Sequence, residues 1–146
     1  MIQQSARSRK RGDPTKQRGL TLIELMIVLA ILGIIISIAL PNFVSSKIAA
    51  NEASAIASVR NITTANFAYS QTVGKGSFTG NLADLAATSP ALIDSVLASG
   101  QKSGYNFSLT SDGQTFEITA VPVQSGVTGV RTFTTDQTGA LHSSSP

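Results

Sequence analysis

The chain has 146 residues, enough for one small folded domain and too few for two. It contains no cysteine, which excludes a disulfide framework, a thiolate nucleophile and a cysteine metal site. Its net charge is +3, but six of the eleven basic residues crowd into residues 1–19 against Asp13 alone; the rest is net acidic, and no nucleic-acid partner is expected.

In chain order, residues 1–19 come first, with Arg7, Arg9, Lys10, Arg11, Lys16 and Arg18 in a polar stretch broken by Gly12 and Pro14. That composition predicts a leader without a packed core, held on the cytoplasmic side by its positive charge. Leu20 to Leu40 follows as the apolar run LTLIELMIVLAILGIIISIAL, interrupted only by Thr21, Glu24, Gly33 and Ser37. At about 1.5 Å per residue it reaches roughly 30 Å, the thickness of a bilayer's hydrocarbon core. A membrane-spanning helix is therefore predicted over 20–40. The remaining chain is too short to wrap a helix that is apolar on every face. An ordinary secretory signal peptide is the competing reading, but Ser37-Ile38-Ala39-Leu40-Pro41 lacks the small-residue cleavage pattern.

Pro41 is expected to end or kink this run. Beyond it, Ile48, Ala55, Val59, Ile62 and Tyr69 recur at the spacing of one helix face, with Lys47, Asn51, Ser54, Ser58 and Arg60 on other faces. One helix over 20–72 is predicted, membrane-borne over 20–40 and amphipathic over 41–72. Residues 73–103 read as a loop with short helical turns. Gly74 to Gly80 stop the long helix, Asn81 caps a turn through Ala87, and Pro90 opens another through Ala98, ended by Gly100.

From residue 104 the period changes to two. Tyr105, Phe107 and Leu109 alternate with polar residues, Ser111 to Gln114 turn the chain, and Phe116, Ile118 and Ala120 alternate again. Gly126 to Gly129 marks a turn, Val130 to Thr135 a strand, and Gln137-Thr138-Gly139 a turn into a last short strand. The tail Ser143 to Pro146 is expected to fray. Residues 104–146 thus predict an antiparallel meander of about four strands. The expected class is α+β, a long N-terminal helix packed on a small antiparallel sheet.

Chemistry-bearing clusters are sparse. His142 stands alone near the tail, no base accompanies any serine or threonine, and the glycines at 74, 76 and 80 lack phosphate-loop spacing. Neither a catalytic residue, nor a metal ligand, nor a cofactor is expected, and a membrane-anchored envelope enzyme is the weakest functional reading. Phe107, Phe116, Phe133 and Tyr105 fit core packing. The triplets Asn61-Ile62-Thr63 and Asn106-Phe107-Ser108 match a glycosylation pattern that is common by chance.

The exception is the entrance to the apolar run. A basic leader ends in Arg18-Gly19, Leu20-Thr21-Leu22-Ile23 follow, and Glu24 places a carboxylate among apolar residues with no basic partner inside the segment. A charge at the centre of a spanning helix costs roughly 2.5–3.5 kcal/mol on insertion scales, and less near its end. Glu24 either marks the membrane boundary or awaits a cation. Cutting the Gly19–Leu20 bond would create one, an α-amino group one helical turn away.

The stretch Arg18-Gly19-Leu20-Thr21-Leu22-Ile23-Glu24-Leu25 resembles the processing site of type IV prepilins and of type II secretion pseudopilins. Residues 10–72 resemble that family's leader and spine helix, and the lack of cysteine is most like its smaller type IV pilins. The resemblance implies that a membrane-embedded prepilin peptidase cuts after Gly19 and N-methylates Leu20. It implies extraction by an assembly machine (platform protein, ATPase and secretin) and packing of the apolar helices with further copies of the chain in a filament. Glu24 would then pair with the amine of a neighbouring Leu20, and Gly33 and Pro41 would mark bends. Before assembly the chain would be a single-pass inner-membrane protein with its C-terminal part outside; afterwards it would belong to an extracellular pilus. Leucine as the first mature residue departs from the family's usual phenylalanine or methionine but keeps its apolar character. Adhesion, twitching motility or DNA uptake are the functions implied for a pilus, and a secretion pseudopilus is the alternative. The C-terminal part here has only scattered acids (Asp112, Glu117, Asp136) in place of the acidic calcium loop of major pseudopilins.

Overall fold

A computed structural model describes residues 19–145. The expected leader, apart from Gly19, and Pro146 at the expected frayed tail lie outside the described residues. The chain divides into two compact units, one ending at Ser37 and one beginning at Ile38.

The first unit holds the start of helix α1 (Leu22–Gln71). Straight-chain and branched aliphatic residues fill it, and its large side chains from Leu22 to Ile36 are all exposed. An 18-residue window of the helix that is apolar enough to cross a membrane buries none of its residues among the described residues. Pro41 does not end the helix. Proline deprives the carbonyl four residues back of its donor. Side chains meanwhile bond helix carbonyls nearby, Ser37 Oγ donating to Ile34 O at 2.7 Å and Asn42 Nδ2 to Ile38 O at 3.4 Å.

In the second unit α1 packs on a five-stranded sheet, one strand more than expected. The strands are β1 (Gln101–Lys102), β2 (Tyr105–Ser111), β3 (Phe116–Pro122), β4 (Thr132–Asp136) and β5 (Leu141–Ser144). They pair as an antiparallel meander in chain order. The extra strand β1 is two residues long, too short to show a period. Ser143 and Ser144, expected to fray, pair with Phe133 and Thr132. Backbone pairing holds them although their side chains bury nothing.

The period of two places Tyr105, Phe107, Leu109, Phe116, Ile118, Ala120 and Phe133 on the inner face, where they meet Ala55, Val59, Ile62 and Ala65 of α1. Each fully buried Val, Ile, Leu or Phe contributes about 1.5–3 kcal/mol. Ser58, expected on another face, is buried on α1 as well. Helix α2 (Leu82–Ala86) starts at Asn81, whose Oδ1 accepts from Ala83 N, and adds Leu82 and Leu85 to the core. Helix α3 (Ser95–Ala98) begins later than expected: Asp94 caps it, with Oδ1 accepting from Leu97 N at 2.8 Å. Pro90 opens no helix and follows a cis peptide bond. Asn66, fully buried, donates from Nδ2 to Thr79 O at 3.1 Å and accepts from Thr79 N at 3.0 Å. One side chain thereby ties the helix to the following loop as a strand partner would.

Candidate processing site and the clamp on the β3–β4 loop

Gly19, Leu20 and Thr21 precede the helix in non-helical backbone, and Gly19 and Leu20 are exposed. The helix starts at Leu22 because Thr21 caps it. Thr21 Oγ1 accepts from Glu24 N at 3.2 Å, and Thr21 N faces Glu24 Oε2 at 3.5 Å. This reciprocal pair is a capping box, T-x-x-E, which satisfies donors that a helix start leaves open and sets an acid against the positive end of the helix dipole. The Glu24 carboxylate therefore folds back to the residue next to Leu20. The Gly19–Leu20 bond lies just outside the first turn. A Cβ at Gly33 would meet nothing within 4 Å among the described residues.

Residues 14–40 match the family model described as the prokaryotic N-terminal methylation motif. The chain carries a prepilin-type motif. It is characteristic of type IV pilins and pseudopilins, and it spans Gly19, Leu20, Glu24 and Gly33. No curated protein and no solved structure matches the chain. The prepilin motif is joined to an α+β pilin-like fold, a long N-terminal helix on a five-stranded antiparallel sheet.

Sequence reasoning passed over Thr21 as a cap, although the T-x-x-E spacing before an apolar run signals one. It also passed over Glu52. Stepping back from Ala55, Val59 and Ile62 by three reaches Glu52, so the helix period itself puts this carboxylate on the buried face. Its Oε1 accepts from the backbone N–H groups of Val130 and Arg131, at 3.0 and 3.1 Å. Its Oε2 accepts from Arg131 Nε at 2.9 Å and Nη2 at 2.7 Å. Burial pushes this carboxyl up; the Arg131 side chain, then the two backbone donors, outweigh that and hold it below the ordinary value. Asn51 Nδ2 donates to Thr128 O at 2.8 Å, and the Tyr105 hydroxyl donates to Arg131 O at 2.9 Å. Burial, then the nearby Glu52 charge, raises the Tyr105 hydroxyl pKa. Together these contacts fasten the β3–β4 connection to α1.

His142 lies exposed opposite Thr134 and lines an open groove with Asp112, Glu117 and Asp136. Among the described residues no group of three metal-ligating side chains is placed to hold an ion.

Proposed function

We propose that this chain is the structural subunit of a type IV pilus, cleaved and N-methylated at Leu20 and polymerised into a helical filament. What supports the reading is the joining of a methylation motif to a helix apolar enough to cross a membrane, whose apolar window is unburied among the described residues. In water that surface is untenable; in lipid or among like helices it is satisfied. Cleavage after Gly19 by a prepilin peptidase frees an amine beside the Glu24 carboxylate. That carboxylate already reaches back to Thr21 N, so the new cation meets an anion at the same depth. Paired with the Leu20 amine of a neighbouring copy, Glu24 sets the stagger between subunits. Gly33 and Pro41 are where the helix bends or loosens during extraction by the assembly machinery.

The subunit is a single-pass inner-membrane protein before assembly, its leader cytoplasmic and its sheet domain outside, and part of an extracellular fibre afterwards. Adhesion, twitching motility and DNA uptake are the roles open to such a fibre. A type II secretion pseudopilin is the second reading, because the same motif marks both classes. The fewness of acids in the C-terminal part favours the pilus.

Mass spectrometry of the mature chain tests the proposal. A methylated Leu20 as first residue is expected; an intact leader, or a cut near residue 40, overturns it. Electron microscopy of sheared surface fibres, with and without this gene, separates pilus from secretion pseudopilus.

A further inference from the structure

The end of β3 and the β3–β4 connection carry an unusual surface. Val121, Val123, Val127 and Val130 are all exposed, and residues 118–130 contain no charge. A loop that left such side chains in water without purpose would be free to fold them inward. The last part of this one is held from the inside, by Glu52 on Val130 and Arg131 and by Asn51 on Thr128, while Val121 faces outward by the alternation of β3. At its edge, Val121, Pro122, Ser125, Val130, Thr132, Ser144 and Ser145 line an open pocket of about 210 Å³. That is below the roughly 300 Å³ at which pockets begin to bury small-molecule ligands. It suits one side chain.

The same chain displays a side chain of that kind. Phe43 is 68% exposed, so it does not fill the pocket of its own chain. Its surroundings are equally uncharged: residues 25–46 contain no Asp, Glu, Lys or Arg. A membrane surface as the loop's partner would call for basic residues at the rim. The nearest in sequence, Arg131, is committed to Glu52.

We propose that the pocket of Val121, Pro122 and Val130 receives Phe43 of a second copy of this chain. The contact rests on the filament reading and names one of its lateral interfaces. It is heterologous, because a knob on α1 meets a hole on the sheet domain, and such contacts build an open helical filament when their rotation does not close a ring. In sequence, Phe43 stands three residues beyond Leu40, the end of the apolar run. A rigid aromatic seated in a recess of mixed valine, proline and hydroxyl lining can anchor an interface.

The absence of native cysteine makes the contact directly measurable in the full chain. Phe43→Cys and Val121→Cys are introduced singly and together, and fibres sheared from cells are oxidised and run on a denaturing gel. The double variant is expected to give a ladder of multimers and each single variant only monomer. Fibres of the double variant without a ladder, or dimers of Val121→Cys alone, overturn the contact and leave the filament reading intact. Absence of wild-type fibres overturns both. Since losing the ring can itself block assembly, a charge exchange supplies a second readout. Phe43→Lys or Val121→Glu alone is expected to lower fibre yield about tenfold, and the pair to restore most of it. Loss of membrane-held monomer in Phe43→Lys, without rescue by Val121→Glu, assigns Phe43 to the membrane interface and overturns the contact.

Discussion

Glu52 on the long helix grips Arg131 twice, one carboxylate oxygen taking its main-chain N–H and the other its guanidinium. The Glu52 side chain is 9% exposed and that of Arg131 45%, so the pair straddles the boundary between core and solvent. Removing the acid leaves two backbone donors of the β3–β4 connection without their partner.

Glu52→Ala is therefore expected to destabilise the sheet domain by about 2–3 kcal/mol, at or below the lower end of the range for broken buried pairs because Arg131 can regain water. Urea unfolding of the detergent-solubilised chain measures it. A loss below half a kcal/mol would show the clamp to be incidental.

The same carboxylate sets a pH dependence. Its pKa is depressed on folding, so the folded state binds that proton less readily than the unfolded chain. The stabilisation is complete above the ordinary value of 4.5 and disappears as pH falls through the depressed folded value. Asp94, Asp112 and Asp136 are lowered too, held by Leu97 N–H, Thr115 N–H and the Thr138 side chain respectively, and add to the loss in acid. Denaturation profiles across the acid range should be shallower for Glu52→Gln than for wild type; parallel profiles would contradict this.

Asn66→Leu replaces a buried amide that bonds both the N–H and the C=O of Thr79. Two orphaned backbone groups predict a loss of about 2–4 kcal/mol, whereas Asn66→Asp keeps the acceptor and strands only the carbonyl. Comparing the two variants by thermal unfolding separates the contributions.

Gly129 lies against the Tyr105 ring, and a Cβ there would overlap the tyrosine hydroxyl. Gly129→Ala must displace the ring or the loop, at about 1–3 kcal/mol. Gly129→Ala combined with Tyr105→Phe should recover part of that loss, because the overlapping oxygen is gone. Unfolding midpoints of the single and double variants decide it.

Glu24→Ala removes the carboxylate but leaves the apolar run whole. Membrane insertion should persist while fibre yield falls at least about tenfold, in keeping with a lost pairing of a few kcal/mol in a medium of low dielectric. Membrane fractionation beside fibre pelleting gives both quantities, and normal fibres from the variant would remove the proposed role of Glu24.

The helix and most of the sheet could be read in the chain because burial imposes a period. Ala55, Val59 and Ile62 repeat as a helix face, and Tyr105, Phe107 and Leu109 as one face of a strand. Short elements escape such reading. Strand β1 has two residues, α3 begins after Asp94 and not at Pro90, and β5 holds Ser143 and Ser144 by backbone pairing alone. The methylation motif over residues 14–40 was legible because it is local in sequence.

By itself the sequence determined an apolar run of membrane length, the cut-and-methylate motif before it, and an α+β body after it, since each depends on spacing within a short window. Only the tertiary structure decided that Glu52 would meet Arg131 across 79 positions and that Asn66 would meet Thr79 in the core. It also decided that the β3–β4 connection would be tied to α1 at Thr128, Val130 and Arg131. Those outcomes depend on which surfaces the packed helix and sheet bring together, and no local period encodes that.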